Sequence, residues 1–373
     1  MKWPAVICAL AWATPCQAQR PALSGQASAF VTSRPDSAAV TGAGLRYIPD
    51  LALQRPLAGG SGDSLAVDLS LDGFAAGAFG AGRPSYDAGL KPYRAWVRFA
   101  TPRLEARVGL QKISFGSATL FRPLMWFDRV DPRDPLRLTN GVTGALARYY
   151  FAGNANVWAW ALAGNAAPKG WETAPTERGS VEVGGRVQTP VPAGEIGASY
   201  DHRTADLRAL AGGYAPEDRF GLDGKWNLGV GLWVEAALVH QRSGVPGAAY
   251  QRFWSLGADY TIGVGNGIYV LAEAARLDAP SSPLGAGPGA SFSGILATYP
   301  VGIVDKVSAI VYRAWEARQW YAVATWQRTY DAWTFYLLAF ANPSPAAPVG
   351  LGAGAPGQAF AGRGLELVAA FNH

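Results

Sequence analysis

Residues 65–74 (LAVDLSLDGF) alternate: Leu65, Val67, Leu69 and Leu71 share one face of an extended chain, and Asp68, Ser70 and Asp72 the other. The same period recurs at 93–99 (YRAWVRF), where Tyr93, Ala95, Val97 and Phe99 oppose Arg94 and Arg98. At 104–111 (LEARVGLQ), Leu104, Ala106, Val108 and Leu110 oppose Glu105, Arg107 and Gln111; at 364–371 (GLELVAAF), Leu365, Leu367, Ala369 and Phe371 oppose Glu366. A period of two is that of a strand with two unlike faces, not of a helix. Eighteen such strands are predicted: 24–32, 42–53, 64–78, 92–101, 104–112, 143–152, 155–164, 179–189, 194–201, 217–227, 229–240, 250–261, 266–276, 291–300, 304–314, 317–328, 331–341 and 361–371.

The connections alternate as well. Tight turns at 329–330, 301–302, 262–265, 228, 190–193, 153–154 and 101–103 interleave with longer links at 342–360, 277–290, 241–249, 202–216, 165–178, 113–142 and 79–91. Two links break the parity: 315–316 is short where a loop is expected, and 54–63 is long where a turn is. Outer-membrane barrels alternate short periplasmic turns with longer extracellular loops, whereas a water-soluble sandwich has no reason to do so. Trp and Tyr near the strand ends fit an interfacial girdle. The expected fold is therefore all-β: an antiparallel transmembrane barrel of about 18 strands (16–18), a size that leaves an aqueous channel.

Composition narrows the alternatives. The 373 residues include 46 Gly and 26 Pro, about 19% together, against roughly 12% on average. Gly and Pro cost about 1 and 3 kcal/mol in a helix interior, which argues against a helical bundle. Aromatics at 12% and charges at only 16% argue against disorder. The net charge of +5 comes with no block of five or six like charges, so no nucleic-acid partner is expected. No later segment resembles a membrane helix.

Residues 1–18 read as a cleaved secretory signal peptide, with Lys2 as n-region, ten apolar residues at 4–13, Pro15, and Cys16-Gln17-Ala18 offering small residues at −3 and −1. Residues 19–373 are then the barrel domain, located in the outer membrane of a Gram-negative envelope. Both cysteines, Cys8 and Cys16, would leave with the leader, so neither disulfides nor thiolate metal sites are expected.

The densest chemistry lies at 112–141 (KISFGSATLFRPLMWFDRVDPRDPLRLTNG). Leu120, Phe121, Leu124, Met125, Trp126 and Phe127 form an apolar core beside Arg122, Arg129, Arg133 and Arg137 and beside Asp128, Asp131 and Asp134. A solvated loop has no use for six large apolar residues, so 113–142 is expected to fold into the lumen as a constriction; a packed extracellular cap is the alternative. Arg94, Arg98, Arg107 and Arg148 fall on inward positions and predict a basic wall across from Asp128, Asp131 and Asp134. Opposed charges of this kind select ions and orient solutes.

On these residues the chain resembles bacterial porins, in which the connection after the fifth strand folds inward and forms the constriction. The ISFG…FRP…DRVDPRDP run is similar to the Gly-then-Asn/Asp-Pro segment of outer-membrane porin families without an assigned substrate. The resemblance implies a channel for diffusion of small hydrophilic solutes or ions, surrounded by outer-membrane lipid, as a single chain, a trimer or part of an envelope complex. Two other functions stay open: a channel specific for carboxylates or acidic sugars, and a structural or secretion-associated barrel plugged by its loops.

An outer-membrane hydrolase is the least supported function, and no enzyme activity is expected. Of the three histidines, His202 adjoins Asp201, but neighbours in a strand point to opposite faces. Residues 352–357 (GAGAPG) match a dinucleotide fingerprint by letter without the strand and helix that motif needs. No metal-ligand cluster and no cofactor is predicted.

Overall fold

The computed structural model describes residues 22–35, 40–57, 62–80, 84–209, 213–243, 249–343 and 360–373. The proposed leader and the 352–357 glycine motif lie outside the described residues. Among those residues there is no α-helix, and eighteen strands form one antiparallel sheet. They are β1 (Ala22–Arg34), β2 (Val40–Pro56), β3 (Ser64–Phe79), β4 (Ser85–Ala100), β5 (Leu104–Gln111) and β6 (Val142–Tyr150). Next come β7 (Asn156–Leu162), β8 (Glu182–Val191), β9 (Gly194–Asp206), β10 (Tyr214–Asn227), β11 (Gly231–Gln241) and β12 (Tyr250–Ile262). The last are β13 (Ile268–Asp278), β14 (Gly289–Pro300), β15 (Asp305–Ala314), β16 (Gln319–Thr329), β17 (Trp333–Ala341) and β18 (Arg363–Asn372).

Each strand pairs with its chain neighbours, and β1 pairs with β18 from Gln26↔Asn372 to Ser33↔Leu365, which closes the barrel. Beyond β18, His373 exchanges backbone hydrogen bonds with Gly25, and its ring stacks on Tyr47 and Phe371. Closure leaves no unpaired edge. The turns between β6 and β7 and between β8 and β9 are tight because Asn154 and Ala193 adopt left-handed φ values of 62° and 58°. The main departure from the predicted boundaries is β4, which begins at Ser85 rather than 92. A register shift at Ser70/Leu71 absorbs one residue, and the hairpin runs on through the polar, Gly-containing stretch 85–91 that carries no strand signal of its own.

Burial is inverted relative to a soluble protein. Leu222 is 63% exposed while its neighbour Asp223 is 8% exposed; Leu367 is 58% exposed and Glu366 7%. Val183, Val187, Ile196, Val234, Leu256, Ile295, Val311 and Leu337 continue the apolar outer face. Glu182, Arg186, Asp201, Arg203, Glu217, Arg219, Glu235 and Glu273 are buried on the opposite one. Apolar-out and polar-in, alternating residue by residue, is what a transmembrane barrel requires.

Candidate functional site

The connection between β5 and β6 carries residues 112–141. Phe115, Leu124, Trp126 and Phe127 pack with Leu146 of β6, Trp160 and Leu162 of β7 and Ala237 of β11. Ala118, Leu120 and Phe121 pack with Trp233 of β11, Leu271 of β13, Phe292 of β14 and Tyr312 of β15. Leu136 joins Val323 of β16, Leu338 and Phe340 of β17 and Val368 of β18. One segment thus reaches strands from β6 to β18, always on the face that carries the buried polar residues. Its six large apolar side chains are each 5% exposed or less, as burial of that much apolar surface demands.

Two wall carboxylates receive the backbone of this segment. Glu273 accepts hydrogen bonds from the amides of Thr119, Leu120 and Phe121 at 2.6, 2.8 and 2.7 Å, and from Trp233 Nε1 at 3.1 Å. Glu235 accepts those of Ala118 at 2.6 Å and Leu124 at 3.2 Å. Neither glutamate stands out in the sequence; the available signal is a single acid on an otherwise uncharged strand face (WVEAALV, VLAEAARL).

The four predicted wall arginines come together on β4, β5 and β6. Arg98 is the cross-strand partner of Arg107, and Glu105 that of Arg148. Each of three lies on an aromatic face: Arg94 on Tyr93 at 4.1 Å, Arg107 on Trp96 at 4.5 Å and Arg148 on Trp158 at 3.8 Å. Glu105 is shared by Arg107 at 3.0 Å and Arg148 at 4.0 Å. Like charges directly opposite one another are unfavourable in a sheet, so the Arg98–Arg107 pair is retained against its own repulsion. The wall also holds acids: Asp68, opposite Trp96, approaches Asp50.

The charges of the segment are largely engaged within it. Arg122 pairs with Asp128 at 3.6 Å and bonds Ser114 Oγ; Arg133 grips Asp131 and lies over Phe360. Burial disfavours the charge of Arg133, yet the hydrogen bonds to Asp131 hold its pKa above the ordinary arginine value. Burial pushes Asp134 up, partly offset by the Leu136 and Leu138 amides. Arg129 donates to the carbonyl of Gly170 at 2.9 Å, tying the segment to the 163–181 connection. Towards the wall, Arg94 donates to the backbone and hydroxyl of Thr139, both at 3.0 Å, so one wall arginine also anchors the loop.

A second cluster was not legible in the sequence. Lys169 and Glu172 of the 163–181 connection meet Glu182, Asp201, Arg203, Glu217 and Arg219 of β8–β10. Arg219 contacts Glu172 and Glu217 at 2.8 Å and Asp201 at 3.7 Å, all of them buried. Removing one partner of such a network strands the rest, so Arg219→Met is expected to cost about 3–5 kcal/mol, read as a lower denaturant midpoint of the folded barrel. Burial alone would raise Glu172, but Arg203, Arg219 and Lys169 hold it below the ordinary glutamate value of 4.5. Its folded value lies under its unfolded one, so its contribution is complete above the ordinary value and is lost as pH falls through the lowered one. Melting temperatures should stay level down to about the ordinary value of 4.5 and decline as pH falls from there to the lowered one; a decline beginning near neutrality would contradict this assignment.

Solved structures align with this barrel over most of its length. OccAB1 of Acinetobacter baumannii aligns with a TM-score of 0.58 at 10% identity, over 94% of this chain and 95% of that one. OccK7 (OpdD) of Pseudomonas aeruginosa aligns with a TM-score of 0.57 at 9% identity, over 94% and 97%. The anion-selective porin of Comamonas acidovorans aligns over 95% and 99% at 14% identity with a TM-score of 0.49. The likeness at these identities is one of fold. No protein-family model matches the chain, and no curated protein matches it significantly.

His202 and Asp201 point to opposite faces. Asp201 accepts a hydrogen bond from Trp160 Nε1 at 2.8 Å on the inner face, while His202 meets Asp218 at 2.7 Å beside Tyr200 on the outer one. Among the described residues no group of three or more His, Cys, Asp or Glu is placed to hold a metal ion.

Proposed function

We propose that this protein is a water-filled channel of the bacterial outer membrane through which small hydrophilic solutes diffuse. The observation that carries this reading is the closed 18-strand barrel with an apolar outer face and a charged inner one, since a barrel of this size encloses an aqueous lumen. Residues 1–18 serve in this reading as the removed export signal. Residues 113–142 lie inside the lumen and narrow it, supported by their contacts with inward positions from β6 to β18. The water path then runs between this segment and the wall that carries Arg94, Arg98, Arg107 and Arg148. Reconstitution in a planar bilayer tests the proposal: steady ohmic current steps are expected, and repeated silence from correctly folded protein would refute it.

A second reading, selective passage of carboxylates, is favoured by the three arginines laid on Tyr93, Trp96 and Trp158. Stacking on a ring leaves the in-plane N–H groups of a guanidinium for carboxylates; Arg107 and Arg148 already share Glu105 in this way, and the Nε of each has no partner. Small carboxylates added at millimolar levels would then interrupt the current while neutral sugars of like size would not.

A further inference from the structure

Glu235 and Glu273 are 1% and 3% exposed, and each is the one charged residue on the inward face of its strand. A carboxylate on such a face is costly unless donors surround it. Neither has an ion pair within 4.0 Å among the described residues; the donors are backbone amides of the β5–β6 connection together with Trp233 Nε1. Residues 118–121 belong to no helix or strand, so their amides have no ladder to bond, and buried amides require partners. Successive N–H groups of this kind form a concavity for an anion. Here the barrel wall supplies the anions. Gly116, at φ 93°, lets the backbone pass over Glu235, where a Cβ would run into the carboxylate.

We propose that Glu235 and Glu273 are positioning residues whose charges pin residues 116–124 to the wall and thereby set the width and steadiness of the channel. This inference rests on the reading of 113–142 as the constriction. A glutamine of the same size does not substitute for Glu273, because all four partners donate and an amide nitrogen cannot accept. Charge-assisted bonds to a carboxylate are about twice as strong as neutral ones, which accounts for glutamate at both positions.

The test is single-channel recording of Glu273→Gln and of the Glu235→Gln/Glu273→Gln pair, beside a deletion of 118–134 and a Glu366→Gln control. Glu366 is likewise buried and inward but bonds Thr32 of β1 rather than the loop. Both loop variants are expected to migrate as folded, heat-modifiable barrels, to flicker severalfold more than the parent and to shift toward the conductance of the deletion; the control stays quiet. If the deletion raises conductance while the glutamine variants trace like the parent, the positioning role is overturned and the constriction stands. If the deletion changes nothing, both fall. Should the Glu273 variants not fold, Glu235→Gln alone, which takes the acceptor from only one of two amides, decides: flicker supports the role, and a steady current or a second failure to fold overturns it.

Discussion

Removal of residues 118–134 is expected to raise single-channel conductance severalfold while leaving the barrel folded. The excised stretch contains Leu120, Phe121, Leu124, Trp126 and Phe127, which pack on inward residues of β7, β11, β14 and β15. The flanks that remain hold together without it, because β5 and β6 pair directly from Leu104↔Tyr149 to Gln111↔Val142. On the proposed reading this segment is the narrowest part, and ohmic conductance scales with that cross-section, so clearing it should change current more than any single substitution would. Heat-modifiable migration confirms folding, and a planar bilayer reads the conductance. An unchanged conductance would place the segment outside the path.

The second large effect concerns ion preference. A mild anion selectivity is expected at low salt, carried by Arg94, Arg98, Arg107 and Arg148. In a narrow wet passage with an effective dielectric near 20, a unit charge a few ångströms from an ion is worth on the order of 1–4 kcal/mol before screening. Screening cuts the reach to about 10 Å at 0.1 M salt, so the preference should fade as salt rises. Glu105 offsets part of the charge on Arg107 and Arg148, and Asp50 and Asp68 lie nearby. Asp131 does not oppose the wall, being gripped by Arg133. Reversal potentials in a KCl gradient should lose their anion bias in Arg94→Gln/Arg98→Gln, and more completely when Arg107→Gln is added. A parent channel that prefers cations, or a bias that survives the triple variant, would exclude these residues as the filter.

Strand identity was legible in the sequence because each face of a barrel strand meets a different solvent. The alternation at 65–72, 104–111 and 364–371 records that difference locally, without reference to any partner strand. Link parity was legible for a similar reason: turns on one side need only to reverse the chain, and Asn154 and Ala193 do so within a few residues. The start of β4 was not legible, since residues 85–91 become strand only through pairing with the far end of β3.

The apolar core and charges of 113–142 marked it in the sequence as a segment that must pack. Where it packs is a different matter. Glu235 and Glu273 lie more than a hundred residues beyond the amides they bond, and a lone acid on an uncharged strand face has the same letters whether it meets a loop amide, an arginine or water. The Lys169–Glu172–Arg203–Arg219 cluster is likewise assembled from a connection and two paired strands, β9 and β10, whose inward positions meet the connection only when it folds onto them. The sequence by itself determined which residues face in and which face out, because that depends on a two-residue period and the solvent on either side. The tertiary structure alone decided which inward charges meet, because closure of an 18-strand sheet brings distant strands onto one interior.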